Sequence, residues 1–227
     1  MPRPTLGIAI NCQNEEQHMP ATIAQFYPIA DEIIVVDGGS TDGTVDWAKR
    51  MGAKVFHQPW EHNHAFQKNL GASKLKTDWI YIHDPDERLE PTLLETIPFA
   101  LSEEGQIFLM SMGILPDSAE LFDCIGIPRR NYLDGVQTQI YPDYQYRLWR
   151  RHCHYSNDPI YRVHVEIEGF SKRTELDYKR ATFEEQPRFN ILHYKTTKMQ
   201  IENNTVFDKV IRGEMGEISP QDISRLV

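Results

Sequence analysis

Cysteine is scarce in this chain of 227 residues, and the three present, Cys12, Cys124 and Cys153, are odd in number and far apart. None are spaced as C-x-x-C, so the sequence carries neither a disulfide framework nor a zinc knuckle. Long apolar runs are missing as well. No stretch approaches the roughly 20 residues that cross a bilayer, and the start, Met1 to Gly7, has no signal-peptide stretch. The expectation is a reduced, cytoplasmic protein without a transmembrane segment. Basic charge is also short, with 24 Lys and Arg against 33 Asp and Glu and a net charge of −9. An acidic surface repels phosphate backbones, which argues against nucleic acid as a partner. Any bound diphosphate then needs a metal or a few placed cations. Local basic clusters occur at Arg129-Arg130 and between Arg147 and Arg151. They are candidates for meeting a phosphorylated acceptor or a membrane surface peripherally, against a default of a solvated face. Internal repeats and low-complexity segments are absent.

Carboxylates, in contrast, are concentrated where burial would be costly. Residues 78–88 read Asp-Trp-Ile-Tyr-Ile-His-Asp-Pro-Asp-Glu-Arg, an apolar strand that stops at Asp84, Asp86 and Glu87. Such groups stay near a core only when a cation or hydrogen bonds compensate them. Alternate residues of an extended segment share a face, so Asp84 and Asp86 can point to one spot. Two hard oxygen ligands there suit Mg2+ or Mn2+ held together with a substrate phosphate. The bland alternative is a solvated, capped turn before a helix opening at Pro91.

The first half of the chain alternates strand and helix patterns. Leu6–Ile10, Glu32–Val36, Ala53–His57 and Trp79–His83 read as strands. Helices are expected up to about Tyr27, from Thr44 to Met51 with Gly52 as cap, from Asn63 to Leu75, and from Pro91 to Leu101. This order implies a parallel sheet with right-handed crossovers, whose ligands gather at the carboxyl ends of the strands. Asn11 to Glu15, Asp37 to Asp42 and Asp84 to Glu87 all fall at those ends. In the second half, 106–112 is expected as a strand and 116–143 as a long loop. Strands follow at 145–150, 162–167 and 189–194, then a helix over 197–212. The whole reads as one domain over 1–227. Residues 1–101 form its nucleotide-binding half, and 102–227 its acceptor side and C-terminal helix.

Three stretches carry a resemblance: Ala9-Ile-Asn-Cys-Gln-Asn-Glu-Glu16, Ile34-Val-Val-Asp-Gly-Gly-Ser-Thr-Asp-Gly-Thr44 and Asp84-Pro-Asp-Glu87. With Trp60 to Asn69, they resemble a family 2 glycosyltransferase of the GT-A fold, in the branch of small lipopolysaccharide-core glucosyltransferases. Asp143 to Arg150, Arg162-Val-His164 and Ile191 to Tyr194 match that branch more loosely. The resemblance implies an α/β, Rossmann-like, mostly parallel sheet with a mixed-strand acceptor half. It also implies inverting transfer of a hexose such as glucose from a UDP-sugar to a glycan or lipid-linked hydroxyl, with Mn2+ or Mg2+ as cofactor. Asp86 would hold the metal, and Asp84 the ribose or a share of the metal. Ile10, Asn11, Glu15, Asp37, Gly39, Lys68, Asn69 and Pro85 would line the donor pocket. Where relatives show a His-Glu pair this chain reads His164-Val165-Glu166, so Glu166, with His164 close behind, is the candidate base. Asp37-Gly38 replaces a common acidic pair, which leaves the nucleobase open.

Other residues keep two readings. His193 ends an apolar strand and is either a third metal ligand or a hydrogen-bonded core histidine. Ser40, Thr41 and Asp42 read as turn and capping residues. His62-x-His64 lacks partners for a metal. Two other functions compete. A sugar-nucleotide pyrophosphorylase would carry a basic, glycine-rich loop after the first strand, where this chain has Asn11 to Glu15. A non-catalytic module binding a nucleotide sugar or glycan is the alternative from another class.

Overall fold

The computed structural model describes residues 3–61, 63–139, 141–157, 166–176 and 189–196. The chain begins with β1 (Leu6–Cys12), α1 (Met19–Ala24), β2 (Glu32–Asp37), α2 (Thr44–Arg50), β3 (Lys54–His57), α3 (His64–Lys74) and β4 (Trp79–His83). These four strands pair in parallel in the order β3-β2-β1-β4. The register sets Cys12 beside Asp37, Asp37 beside His57, and Ile10 beside His83. The polar residues after β1, β2 and β4 therefore share one rim.

Burial on both faces explains the nearly unbroken apolar strands. Ile8, Ile10 and Tyr81 pack against Met19, Ile23, Phe26, Leu93 and Ile97 on one face. Ala9, Ile34, Ile80 and Ile82 pack against Ala65 and Ala72 of α3 on the other. The small residues of α3 let it lie close to the sheet. A Cβ on Gly71 would stand 3.1 Å from that of Ala9 and 3.3 Å from Val36. Asn63 caps α3, its side chain accepting from Phe66 N at 3.0 Å. Gly52, at φ +80°, follows α2 where the sequence places the cap.

The second half extends the same sheet. After β5 (Glu87–Leu89), α4 (Pro91–Ala100) and α5 (Glu103–Ser111) come β6 (Cys124–Leu133), β7 (Val136–Gln137) and β8 (Asp143–Arg150). The short β9 (His154–Tyr155), β10 (Ile167–Glu168) and β11 (Arg173–Glu175) precede β12 (Ile191–Lys195). β8 joins β4 antiparallel and β6 antiparallel, and β12 lies between β6 and β5. The sheet is thus continuous from β3 to β5, parallel in one half and mixed in the other.

Two expectations fail here. Residues 106–112 lie not in a strand but largely in α5, because Ser102 caps it by accepting from Gly105 N at 3.0 Å and Glu103 and Glu104 suit its first turn. A short apolar run such as Ile107 to Met110 does not by itself distinguish strand from helix. The expected loop over 116–143 contains β6, the longest strand, despite Pro128. β6 pairs with β8 on one edge, while its other edge meets β11 at 124–126 and β12 at 129–133. Pro128 falls between those two partners, so its missing N–H breaks no ladder bond to either. The expected helix over 197–212 and strand residues 162–165 lie outside the described residues. Among the described residues no helix is long and apolar enough to cross a membrane.

Candidate active site

The rim is built from three loops, from β8 and β12, which the sequence indicates, and from β6, which it does not. After β1, Asn14 N donates to Ser40 Oγ (2.8 Å) and Glu15 N to Thr44 Oγ1 (2.7 Å), lacing this turn to the loop after β2. Asn14 Oδ1 in turn accepts from Thr41 N (2.8 Å). Asp37 is buried, and its carboxylate accepts from Gly39 N (3.2 Å) and Ser40 N (3.1 Å) and lies 3.1 Å from His57 Nδ1. Gly39 makes this turn possible with φ +108°. Asn11, 4% exposed, has neither amide atom paired within the described residues, and Gln13 Oε1 is also unpaired. Buried amides are normally satisfied, so this end of β1 is prepared for a polar partner.

Asp84 and Asp86 are two residues apart but are neutralised differently. Asp84 receives Arg147 Nη2 at 2.7 Å and Lys68 Nζ at 3.4 Å. Burial alone would push its carboxyl up, but Arg147 and Lys68 pull it well below the usual carboxylate range. Lys68 is held down by its own burial. Asp86 instead faces His193, with Oδ2 3.1 Å from Nε2. Burial raises its carboxyl and His193 more than offsets that. Glu15 completes the acidic side. Burial first, then the charges of Asp86, Asp42 and Asp84, push its carboxyl up to about 8.

Beneath this pair lies a buried ionic layer. Glu87, fully buried, takes Arg147 Nη2 and Arg129 Nη1 on Oε1, each at 3.1 Å. Arg129 also grips Asp143 (2.7 Å), which accepts from Asn131 Nδ2 (3.0 Å) and Gln145 Nε2 (2.7 Å). Asn131 Oδ1 lies 2.7 Å from His193 Nδ1. Charges so deep persist only because each is paired.

The structure thus brings Asp84, Asp86, Lys68 and His193 together with Glu15. Pro85 contributes its carbonyl, which accepts from Thr22 Oγ1 and Arg88 Nη1, both at 2.8 Å. Ile10 is a core residue and Asn69 a clamp, its amide bonding Tyr155 N and O at 2.8 Å each. Glu166 is not brought in. Its carboxylate pairs with Arg173 at 2.6 Å, and Arg173 belongs to β11, beside the Cys124 end of β6 rather than the Asn131 end. His164 lies outside the described residues. His64 opens α3 next to Trp60, and burial with Lys68 nearby pushes it down to about 3, hence neutral.

Sequence reasoning named Glu87 in the acidic cluster, Arg129 and Arg147 in basic clusters and Asp143 in a resembling stretch without giving any of them a place at the site, and it missed Asn131. The available signal was charge within strand-like runs, as at Arg147 before Leu148-Trp149. One trio of metal-type side chains, Asp123, His152 and Cys153, gathers within 4.8 Å elsewhere. Asp123 there is already a staple, accepting from Ser171 N (2.7 Å) and Lys172 N (3.0 Å).

Residues 8–114 match the family model described as glycosyl transferase family 2. That stretch, a little under half of the chain, is similar to the family 2 glycosyltransferases, and it holds the parallel part of the α/β sheet. An uncharacterized glycosyltransferase of Rickettsia typhi is 38% identical over 94 residues, covering 41% of this chain and 32% of the relative. The lipopolysaccharide core biosynthesis glycosyltransferase LpsC of Rhizobium meliloti is 29% identical over 132 residues, covering 52% and 48%. Among solved structures, glucosyl-3-phosphoglycerate synthase of Mycobacterium tuberculosis with Mn2+, UDP and glucosyl-3-phosphoglycerate shares 20% identity at a TM-score of 0.39. That match covers 58% of this chain and 45% of the other. The chain spans about a third of the length of the first of these relatives.

Proposed function

We propose that this chain transfers a hexose, glucose or a close relative, from a UDP-sugar to a hydroxyl of a glycan or lipid-linked acceptor, with inversion and in the cytoplasm. The observation that carries the reading is the Asp86–His193 pair, buried at the carboxyl rim of the parallel strands, where α/β sheets bind ligands. The donor set fits a hard divalent cation, Mn2+ or Mg2+. One carboxylate and one imidazole would hold it, leaving positions for diphosphate oxygens. When bound, the cation supplies positive charge to the diphosphate that leaves the anomeric carbon. Lys68 lies on the same rim, and the unpaired amides of Asn11 and Gln13 offer hydrogen bonds to a nucleoside. Asp84, already carrying Arg147 and Lys68, is assigned to shaping the site more than to the metal. The relationship to LpsC favours a saccharide of lipopolysaccharide-core type as acceptor.

A second reading, a binding module without turnover, is favoured by the engagement of Glu166 with Arg173, which leaves the base unassigned. UDP release from UDP-glucose with Mn2+ and a glycan acceptor separates the two. Turnover by wild type and its loss in Asp86→Asn is the expected result. Binding of Mn2+–UDP without turnover of any sugar nucleotide would favour the module, and no binding at all would sink both.

A further inference from the structure

We propose that Asn131 is a positioning residue, anchored by Asp143 and Arg129, that fixes the His193 ring so that Nε2 is presented beside Asp86 with its lone pair free for a cation. The inference rests on the proposed metal-dependent function and extends it to residues that touch neither metal nor substrate.

The strand registers put the residues in place. His193 pairs with Asn131 across β12 and β6, and Arg129 pairs with Asp143 across β6 and β8. Arg129 and Asn131 are two residues apart on one strand and so share a face. The hydrogen-bond directions then follow from what each group can do. An ionised carboxylate only accepts. Asp143 Oδ2 takes Arg129 Nη2 at 2.7 Å and Nε at 3.0 Å, and Oδ1 takes Gln145 Nε2 at 2.7 Å. The Asn131 atom 3.0 Å from Asp143 Oδ2 must be the amide nitrogen. Its carbonyl oxygen therefore faces His193 Nδ1 at 2.7 Å, and that nitrogen must carry a proton.

The consequence falls on the other ring nitrogen. Nε2 stands 3.1 Å from Asp86 Oδ2. With Nδ1 committed as donor, Nε2 is the nitrogen left to meet Asp86, as an N–H when no cation is held and as a lone pair when one is held by both residues. Metal-bound histidines commonly have the second nitrogen tied in this way, and losing the tie costs about 10–100-fold in metal affinity. Leu in place of Asn131 would free the ring to rotate or change tautomer without altering Asp86 or His193.

The test measures Mn2+ affinity in the presence of UDP, by titration of free Mn2+ signal, for wild type and Asn131→Leu. Alongside it, nitrogen NMR of histidine-labelled protein in the Mg2+–UDP complex reports the Nδ1 proton of His193, assigned by its loss in His193→Gln. Expected are a fixed Nδ1–H in wild type, its loss in Asn131→Leu, and a fall in Mn2+ affinity of about 10–100-fold. Asn131→Ala serves in both measurements if the Leu variant does not fold. An unchanged Mn2+ affinity, or an unchanged Nδ1 signal, in the variant overturns the proposal while leaving the functional reading intact. Failure of wild type to bind Mn2+–UDP overturns the functional reading itself, and this proposal with it.

Discussion

Asp84 and Asp86 sit on one turn, yet the protein answers their charges from opposite directions. Asp84 looks toward α3 and β8, where Lys68 and Arg147 supply permanent cations. Asp86 looks toward β12, where His193 supplies an imidazole, and toward Glu15, a further acid. The first environment is complete in the protein alone. The second collects acceptors around a carboxylate, an arrangement that a divalent cation stabilises. On the proposed function, two like residues two positions apart would separate into a scaffold carboxylate and a ligand carboxylate, with the neighbours, not the motif, deciding which is which.

The largest effect should come from breaking the complete side. Arg147 is 3% exposed and serves both Asp84 and Glu87. Arg147→Met leaves the buried Glu87 and the partly exposed Asp84 each short of a partner, and removing one member of a buried network costs about 3–5 kcal/mol. Urea unfolding at neutral pH measures it. A loss below about 1 kcal/mol, the worth of an exposed pair, would mean that the ionic layer is solvated and the contrast between the two carboxylates is shallow.

A swap at each carboxylate probes the contrast directly. Asp86→Asn should weaken Mn2+ binding in the presence of UDP by at least the 10–100-fold that disturbing a ligand's support costs. Asp84→Asn should change it less, because Asp84 is already satisfied by Arg147 and Lys68, and should instead lower stability. Calorimetric titration of both variants decides the point. Equal losses of affinity would show that both carboxylates reach the cation, as the bare Asp-Pro-Asp spacing suggests.

That spacing marks the limit of what could be read from residues alone. The strands Leu6–Cys12, Glu32–Asp37 and Trp79–His83 were legible because burial on both faces leaves continuous apolar runs, and their polar ends fix the rim without a structure. Of the partners of the acidic turn, His193 was legible as a candidate third ligand, while Arg147 and Asn131 were not placed at the site. Arg147, Asn131 and His193 come from 63, 45 and 107 residues beyond Asp84 or Asp86, and only the antiparallel return of β8 and the placing of β12 between β6 and β5 bring them there. β6 was hidden by Pro128 and by polar residues that face the ionic layer, and α5 by an apolar run with no clear period. Glu166 was chosen because relatives show a His-Glu pair where this chain reads His164-Val165-Glu166, but pairing with Arg173 is a tertiary fact that no local pattern reports.

The expected effect most specific to the Asp86 side concerns Glu15. Its carboxyl is raised from 4.5 to about 8 by burial and by the charges of Asp86, Asp42 and Asp84. The folded protein thus holds this proton more tightly than the unfolded chain does. The resulting stability is fully present below the unfolded value, near 4.5, and is lost as pH rises through about 8. Glu15→Gln removes the titration while keeping the shape, so the metal-free variant should melt higher than wild type at pH 9 but at a similar temperature to it at pH 4. Mn2+ with UDP should narrow the gap at pH 9, because a cation beside Asp86 offsets the repulsion that Glu15 feels. A gap at pH 9 that Mn2+–UDP leaves untouched would place the cation away from Glu15 and Asp86, and the division between the two carboxylates would have to be redrawn.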